Sequence, residues 1–270
     1  MLGLSSSVVS GGCLDSSVVA FYNTTTNTNS MEFDGAGDYL FLSDHEDFSF
    51  DGGVPFSVAA WVKRDVTNKG QGFFSKGQIG ARLSNQEYRV FWHTDGKLYV
   101  DISDGGGYQS SGAYRRITFA DNSTDWQHYV ITSDGTDGES LSGHIKLYVN
   151  GTSVSQAGAG NSDTDGMQDT NTVFSIARVG GEYSSNSKDF DGNICQFMMW
   201  RNKELSQDEV TYLYASGAAH RNPTQNAGDY VSSSNLLLWL PLQSNANDIS
   251  GNGHSMNILG GASTEADVPF

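Results

Sequence analysis

The chain has 270 residues, with 31 acidic against 15 basic side chains and a formal net charge of −16. So acidic a surface repels phosphate backbones and excludes nucleic acid as a natural partner. Gly is abundant at 32, Pro scarce at 4, and aromatic residues make up 11%. That composition is a folded one and excludes a disordered chain, and at this length a full two-sheet core needs no disulfide staples.

Residues 1–28 are rich in Ser, Thr, Gly and Asn and read as a flexible N-terminal arm. Its MLGLSSSVVS start carries no Lys or Arg, and serines interrupt the apolar residues, so no secretory signal is expected. Cys13 lies in this arm and Cys195 far along the chain, with no CxxC. A disulfide between them and two free thiols are both open.

From Met31 onward, short apolar runs alternate with Gly, Asp, Asn and Ser turns, the pattern of a sandwich. Strands are predicted at Ser30–Phe33, Tyr39–Leu42, Phe56–Lys63, Gly72–Lys76, Tyr88–His93 and Lys97–Ile102. They continue at Tyr114–Phe119, Gln127–Ser133, His144–Val149, Thr172–Arg178, Gly192–Trp200 and Leu236–Leu242. Ile145, Leu147 and Val149 alternate onto one face, and Asn150-Gly151 then supplies the positive φ angles of a tight hairpin. Thr94-Asp95-Gly96 joins two more strands in the same manner. Trp61 and Trp126 are expected to fill the core.

One helix is predicted. Ser206 and Glu209 form a capping box, Val210, Leu213 and Tyr214 recur at helical spacing, and Gly217 is placed to end it. LLLWLPL at 236–242 is far too short for a membrane span and reads as a buried strand.

Several segments, in order, resemble the laminin-G-like jelly rolls of the concanavalin A-like superfamily. They are Met31–Leu40, Phe56–Lys63, Phe74–Gly77, Trp126–Ile131, Ile145–Thr152, Phe190–Ile194 and Met199–Ser206. The resemblance implies an all-β, two-sheet antiparallel sandwich over 29–217 with one short helix on the C-terminal side. Leu238–Leu242 followed by Asp248-Ile-Ser-Gly-Asn-Gly-His254 looks like a segment that often opens such domains. Here it comes last, so 218–270 either completes the sandwich in permuted order or packs as an appendage.

Glucan-cleaving members of the superfamily resemble one another in a Glu-x-Asp-x-Glu strand, which aligns three carboxylates on one face. The nearest match here is Glu32-Phe-Asp-Gly-Ala36, with Ala where the third acid belongs. None of His45, His93, His128, His144, His220 and His254 forms HxxxH or HExxH, and there is no Gly-x-Ser-x-Gly elbow. The expectation is therefore no enzyme.

Calcium takes six to eight oxygen ligands, often from a Gly-rich loop. The Asp248 loop offers a carboxylate, the Asn252 amide and the free carbonyl of Gly251. Similar domains carry one structural calcium near the sheet edge, which implicates Asp191 as a second contributor. For sugar, Trp92, Tyr108 and Tyr183 are candidates beside polar loops, although alternation would bury Trp92 and the two tyrosines equally suit protein contacts.

The Ser-rich start and the late Asp-x-Ser-Gly-Asn-Gly segment also resemble, in style, structural proteins of tailed bacteriophages. That resemblance implies a non-enzymatic virion component, either capsid decoration or cement or a tail or fibre part. Its partners would be other virion proteins or copies of itself in an oligomer. The alternative is a calcium-dependent lectin module binding host-surface glycans, on a virion or extracellular. A polysaccharide-cleaving enzyme is a further alternative.

Overall fold

The computed structural model describes residues 24–25, 27–78, 85–104, 114–136, 140–161, 166–180, 188–218 and 220–270. Cys13, Tyr108 and Tyr183 lie outside them.

The strands, in chain order, are β1 (Thr24–Thr25), β2 (Ser30–Asp34), β3 (Tyr39–Leu42), β4 (Phe56–Arg64), β5 (Gln71–Gly77), β6 (Gln86–His93) and β7 (Lys97–Ser103). Next come β8 (Tyr114–Ala120), β9 (Gln127–Ser133), β10 (Ile145–Val149), β11 (Thr152–Val154), β12 (Gln156–Asn161), β13 (Phe174–Ile176) and β14 (Arg178–Val179). The last are β15 (Lys188–Asp189), β16 (Asp191–Arg201), β17 (His220–Arg221), β18 (Leu236–Leu240), β19 (Asn257–Leu259) and β20 (Ser263–Glu265). Among the described residues one α-helix, α1 (Gln207–Tyr214), precedes β17.

Two antiparallel sheets face each other. The first runs β11-β10-β9-β4-β16-β2-β20, with β18 also on β16; the second runs β12-β8-β7-β6-β5-β13-β3-β19. Period-two alternation decides which side chains meet between them. From the first sheet come Val58, Ala60, Val62, Ile131 and Leu147; from the second come Phe74, Val90, Leu98, Val100 and Ile117. The Asn150-Gly151 turn has φ values of 51° and 74° and joins β10 to β11, as its sequence predicts.

A second apolar cluster lies on the outer face of the first sheet. Val210 and Leu213 of α1 pack there with Ala59, Val130, Trp200 and Trp239. The Ser206–Glu209 capping box is present. The helix ends earlier than predicted, at Ala215 in the left-handed region with φ 53°; Gly217 closes the 3-10 turn that follows.

Three expectations are corrected. Trp61 is buried, but outside the inter-sheet core. Alternation sends Val58, Ala60 and Val62 inward and Trp61 outward, where it meets His128, Tyr214 and Phe270. Trp126 precedes β9, is only partly buried, and donates its indole N–H to Asp267 Oδ1 at 2.7 Å. The predicted strand 172–178 is split in two by Ala177, whose φ of 68° turns the chain between β13 and β14.

Residues 218–270 contribute to both sheets. The first half of β16 pairs with β2 and the second half with β18, so β2 and β18 lie end to end along one edge. β19 extends the second sheet beyond β3, and β20 extends the first beyond β2.

Candidate functional site

β3 reads Tyr-Leu-Phe-Leu. Leu40 is fully buried, so Tyr39 and Phe41 point away from the core on the outer face of the second sheet. Their ring centroids lie 6.2 Å apart at 48°, and the Arg178 guanidinium sits 4.9 Å over Tyr39. Together with Gln78, Asn85, Asn171, Thr172, Val173 and Leu259 the two rings line a cleft of about 480 Å³.

β19, the segment before β13 and the residues between β5 and β6 supply the rest of the lining. Leu259 stands opposite Tyr39 across the β3–β19 pair. Gln78 and Asn85 are tied by an amide-to-carbonyl bond of 3.2 Å. Asn171, Thr172 and Val173 line it too, and their segment is held by Lys76. This side chain is fully buried and donates to Thr170 O at 2.9 Å, Thr172 O at 3.1 Å and Asp44 Oδ1 at 2.6 Å. Glu87 Oε1 lies 3.0 Å from the same ammonium and accepts the Thr170 amide at 2.8 Å. Burial pushes the Glu87 carboxyl above its ordinary range, against the opposing pull of Lys76 and the Thr170 donors.

Chemically, the cleft offers aromatic faces and side-chain amides. Apolar C–H faces of a ligand can stack on Tyr39 and Phe41, while Gln78, Asn85 and Asn171 can both donate to and accept from hydroxyls. Its described lining contains no Asp, Glu, His or Cys.

Trp92, predicted to stack on sugar, does not belong to this site. It lies fully buried between the sheets, packed on Phe73 and Tyr129, with its indole N–H donated to Asp121 Oδ2 at 2.5 Å. Alternation along β6 carries it inward with Tyr88 and Val90.

The residues predicted for calcium do not converge. Asp191 opens β16, whereas the Asp248 loop hangs from Trp239, which pairs with Met198 seven residues further along. At about 3.3 Å per residue that is roughly 20 Å away. Asp191 is engaged by Lys69 at 2.8 Å. Both Asp248 oxygens already take protein donors, namely the amides of Trp239, Ser250 and His254 and the Ser250 hydroxyl. Burial disfavours the Asp248 charge, but these bonds outweigh it and hold the carboxyl below its usual value. Asn252 donates its amide to Leu236 O and Leu237 O, and Gly251 takes φ 102° to shape the turn. These hydrogen bonds make the loop a clasp on β18.

The sequence alone does not single out the cleft residues. The signal present was the Tyr39/Phe41 pair at i, i+2 opposite an inward Leu40. Nothing in the sequence brings Asn85 or Asn171 to the same place.

A jelly roll of this topology defines a class, and the family comparison agrees. A model described as the Concanavalin A-like lectin/glucanases superfamily matches residues 34–211, and the chain belongs to that superfamily. Among solved structures, a Bacteroides ovatus protein for which carbohydrate binding is proposed aligns over 89% of this chain at 15% identity and TM-score 0.53. This chain spans only 60% of that protein. The heptameric SAP-like pentraxin of Limulus polyphemus aligns over 88% of this chain and 94% of its own, at 14% identity and TM-score 0.51. No curated protein sequence matches.

Proposed function

We propose that this chain is a non-catalytic glycan-binding module whose site is the Tyr39–Phe41 cleft. The observation that carries the reading is the lining itself, in which two outward aromatic rings are ringed by the amides of Gln78, Asn85 and Asn171. The volume of about 480 Å³ falls within the ordinary range of small-molecule sites and suits one or two sugar rings. Glycoside hydrolysis by the usual route needs two carboxyl groups flanking the bond, and the described lining supplies none. The superfamily takes in both lectins and glucanases, and carbohydrate binding is proposed for the B. ovatus protein of like fold; both accord with a sugar ligand. A virion role rests on the style of the sequence alone.

The test is a glycan array probed with the full chain, followed by calorimetry on the best hit. Tyr39→Ala and Phe41→Ala should each weaken binding at least tenfold while leaving the fold intact. Binding unchanged in both variants would place the glycan site elsewhere, and no binding to any glycan would sink the reading.

A further inference from the structure

His45, Asp47 and His254 come from opposite ends of the chain and meet at one point. His45 caps the 3-10 turn Glu46–Phe48, Asp47 lies within that turn, and His254 follows the Asp248 clasp. The three offer ligand atoms all within 4.8 Å of one another. Asp47 Oδ2 sits 3.4 Å from His45 Nδ1 and 3.1 Å from His254 Nε2.

The two separations from Asp47 match two edges of a zinc tetrahedron. With Zn–N and Zn–O bonds of about 2.0–2.1 Å, neighbouring ligand atoms stand roughly 3.3 Å apart. The two imidazoles are already side by side, ring centroids 4.7 Å apart and nearly perpendicular. Phe48, fully buried, holds the His254 ring edge-on at 5.1 Å and is itself stacked on Phe174. The His254 amide is fixed to Asp248 Oδ2 at 2.9 Å. The nearby Arg201 guanidinium is spent on the carbonyls of Glu46, Asp47 and Ser49. Asp47 and His254 also line a polar recess of about 310 Å³, which leaves room for water at a remaining coordination position.

We propose that His45, Asp47 and His254 bind one divalent first-row transition ion of the zinc type. Two neutral imidazoles and one carboxylate favour such an ion over calcium or magnesium, which prefer all-oxygen sites. His45 Nδ1 takes a 3.2 Å bond from the Asp47 amide, and coordination exchanges that bond for the metal. The ion would pin the C-terminal clasp to the turn that follows β3, and so link the C-terminal segment to the start of the sandwich. The proposal is independent of the glycan reading.

The experiment uses the full chain, free of any affinity tag, titrated with ZnCl2 by calorimetry and with CoCl2 by visible absorption. One equivalent should bind, and at 100-fold excess over Kd the thermal midpoint should rise by roughly 5–10 °C. CaCl2 should do neither. His45→Gln, at an exposed position, and His254→Gln should each cost at least tenfold in zinc affinity and abolish the cobalt band, with unchanged circular dichroism. Absence of stoichiometric zinc binding would overturn the proposal, as would binding that survives both substitutions. Asp47→Asn gives an independent variant should His254→Gln fail to fold, and zinc affinity undiminished by it would also count against the site.

Discussion

Lys76 Nζ lies 3.0 Å from Glu87 Oε1, with both side chains fully buried. Removing one partner of such a pair leaves an uncompensated buried charge and costs about 3–5 kcal/mol. Lys76→Met should therefore lower the urea-unfolding free energy by that order. It should also loosen the 170–173 segment of the cleft and weaken glycan binding without replacing a residue of the lining. Lys76→Met combined with Glu87→Gln should cost less than the sum of the two single changes. A Lys76→Met cost below about 1 kcal/mol would show that the pair does not organise this end of the sandwich.

His128 and His220 should make the fold lose stability between pH 7 and 5. Burial lowers the pKa of His128 to about 3, with a further contribution from His220, and burial lowers that of His220 to about 4. Their ring nitrogens meet no hydrogen-bonding partner among the described residues. Both folded values lie below the unfolded value of about 6.5, so the unfolded chain binds more protons once pH falls below that point. Stability contributed by the neutral rings is complete above pH 6.5 and is lost as pH falls toward the folded values. By pH 5 the loss is about 4 kcal/mol, an order-of-magnitude figure. Denaturant melts between pH 7 and 5 should show it. His128→Phe should flatten the profile and be neutral or stabilising at pH 7, because an unpaired polar ring is exchanged for an apolar one. A pH profile unchanged by His128→Phe and by His220→Phe would exclude these two groups as its cause.

What the sequence made legible follows from local physics. Alternation in Phe56–Lys63 or His144–Val149 marks a strand whatever surrounds it, and a capping box or an Asn-Gly turn acts over a few residues. The core strands and α1 are legible in this way. The facing of single side chains is not. Trp61 looked like core because it is large and apolar, yet parity sent it outward to a surface that Tyr214 and Phe270 cover from far along the chain. Trp92 stood beside a polar turn, yet parity sent it inward. The cleft depends on Phe41, Asn85, Asn171 and Leu259 being neighbours, which is a property of strand order across the second sheet. His45 and His254 were both visible, but no spacing rule joins residues so distant in sequence. Asp248 takes the hydrogen bonds of a turn, and its sequence suits a turn and a calcium loop alike, since Asp, Ser and Gly serve both.

Removal of residues 218–270 should abolish folding. Leu236, Leu237, Leu238, Trp239, Leu240 and Leu242 are all buried, and β18 continues the edge of β16 where β2 ends. Full burial of one such side chain stabilises by about 1.5–3 kcal/mol, so the six together rival the about 5–15 kcal/mol that keeps a domain folded. The truncated chain should be insoluble or lack a cooperative melt. A cooperative melt in chain 1–217 would show that the segment is an appendage.

Glycan binding in the Tyr39–Phe41 cleft should not require calcium. The described lining holds no carboxylate, and the amides of Gln78, Asn85 and Asn171 can meet hydroxyls directly. Calorimetry of the best glycan in EDTA should return the same Kd as in CaCl2, to within about twofold. Asn171→Ala should weaken binding by roughly tenfold, the equivalent of one well-placed hydrogen bond of about 1.4 kcal/mol. EDTA would still strip a zinc-type ion from His45, Asp47 and His254 and lower the thermal midpoint. None of those three lines the cleft, so midpoint and affinity should move separately. Loss of glycan affinity in EDTA, restored by calcium and not by zinc, would instead mean that the sugar is held by a calcium ion outside this cleft.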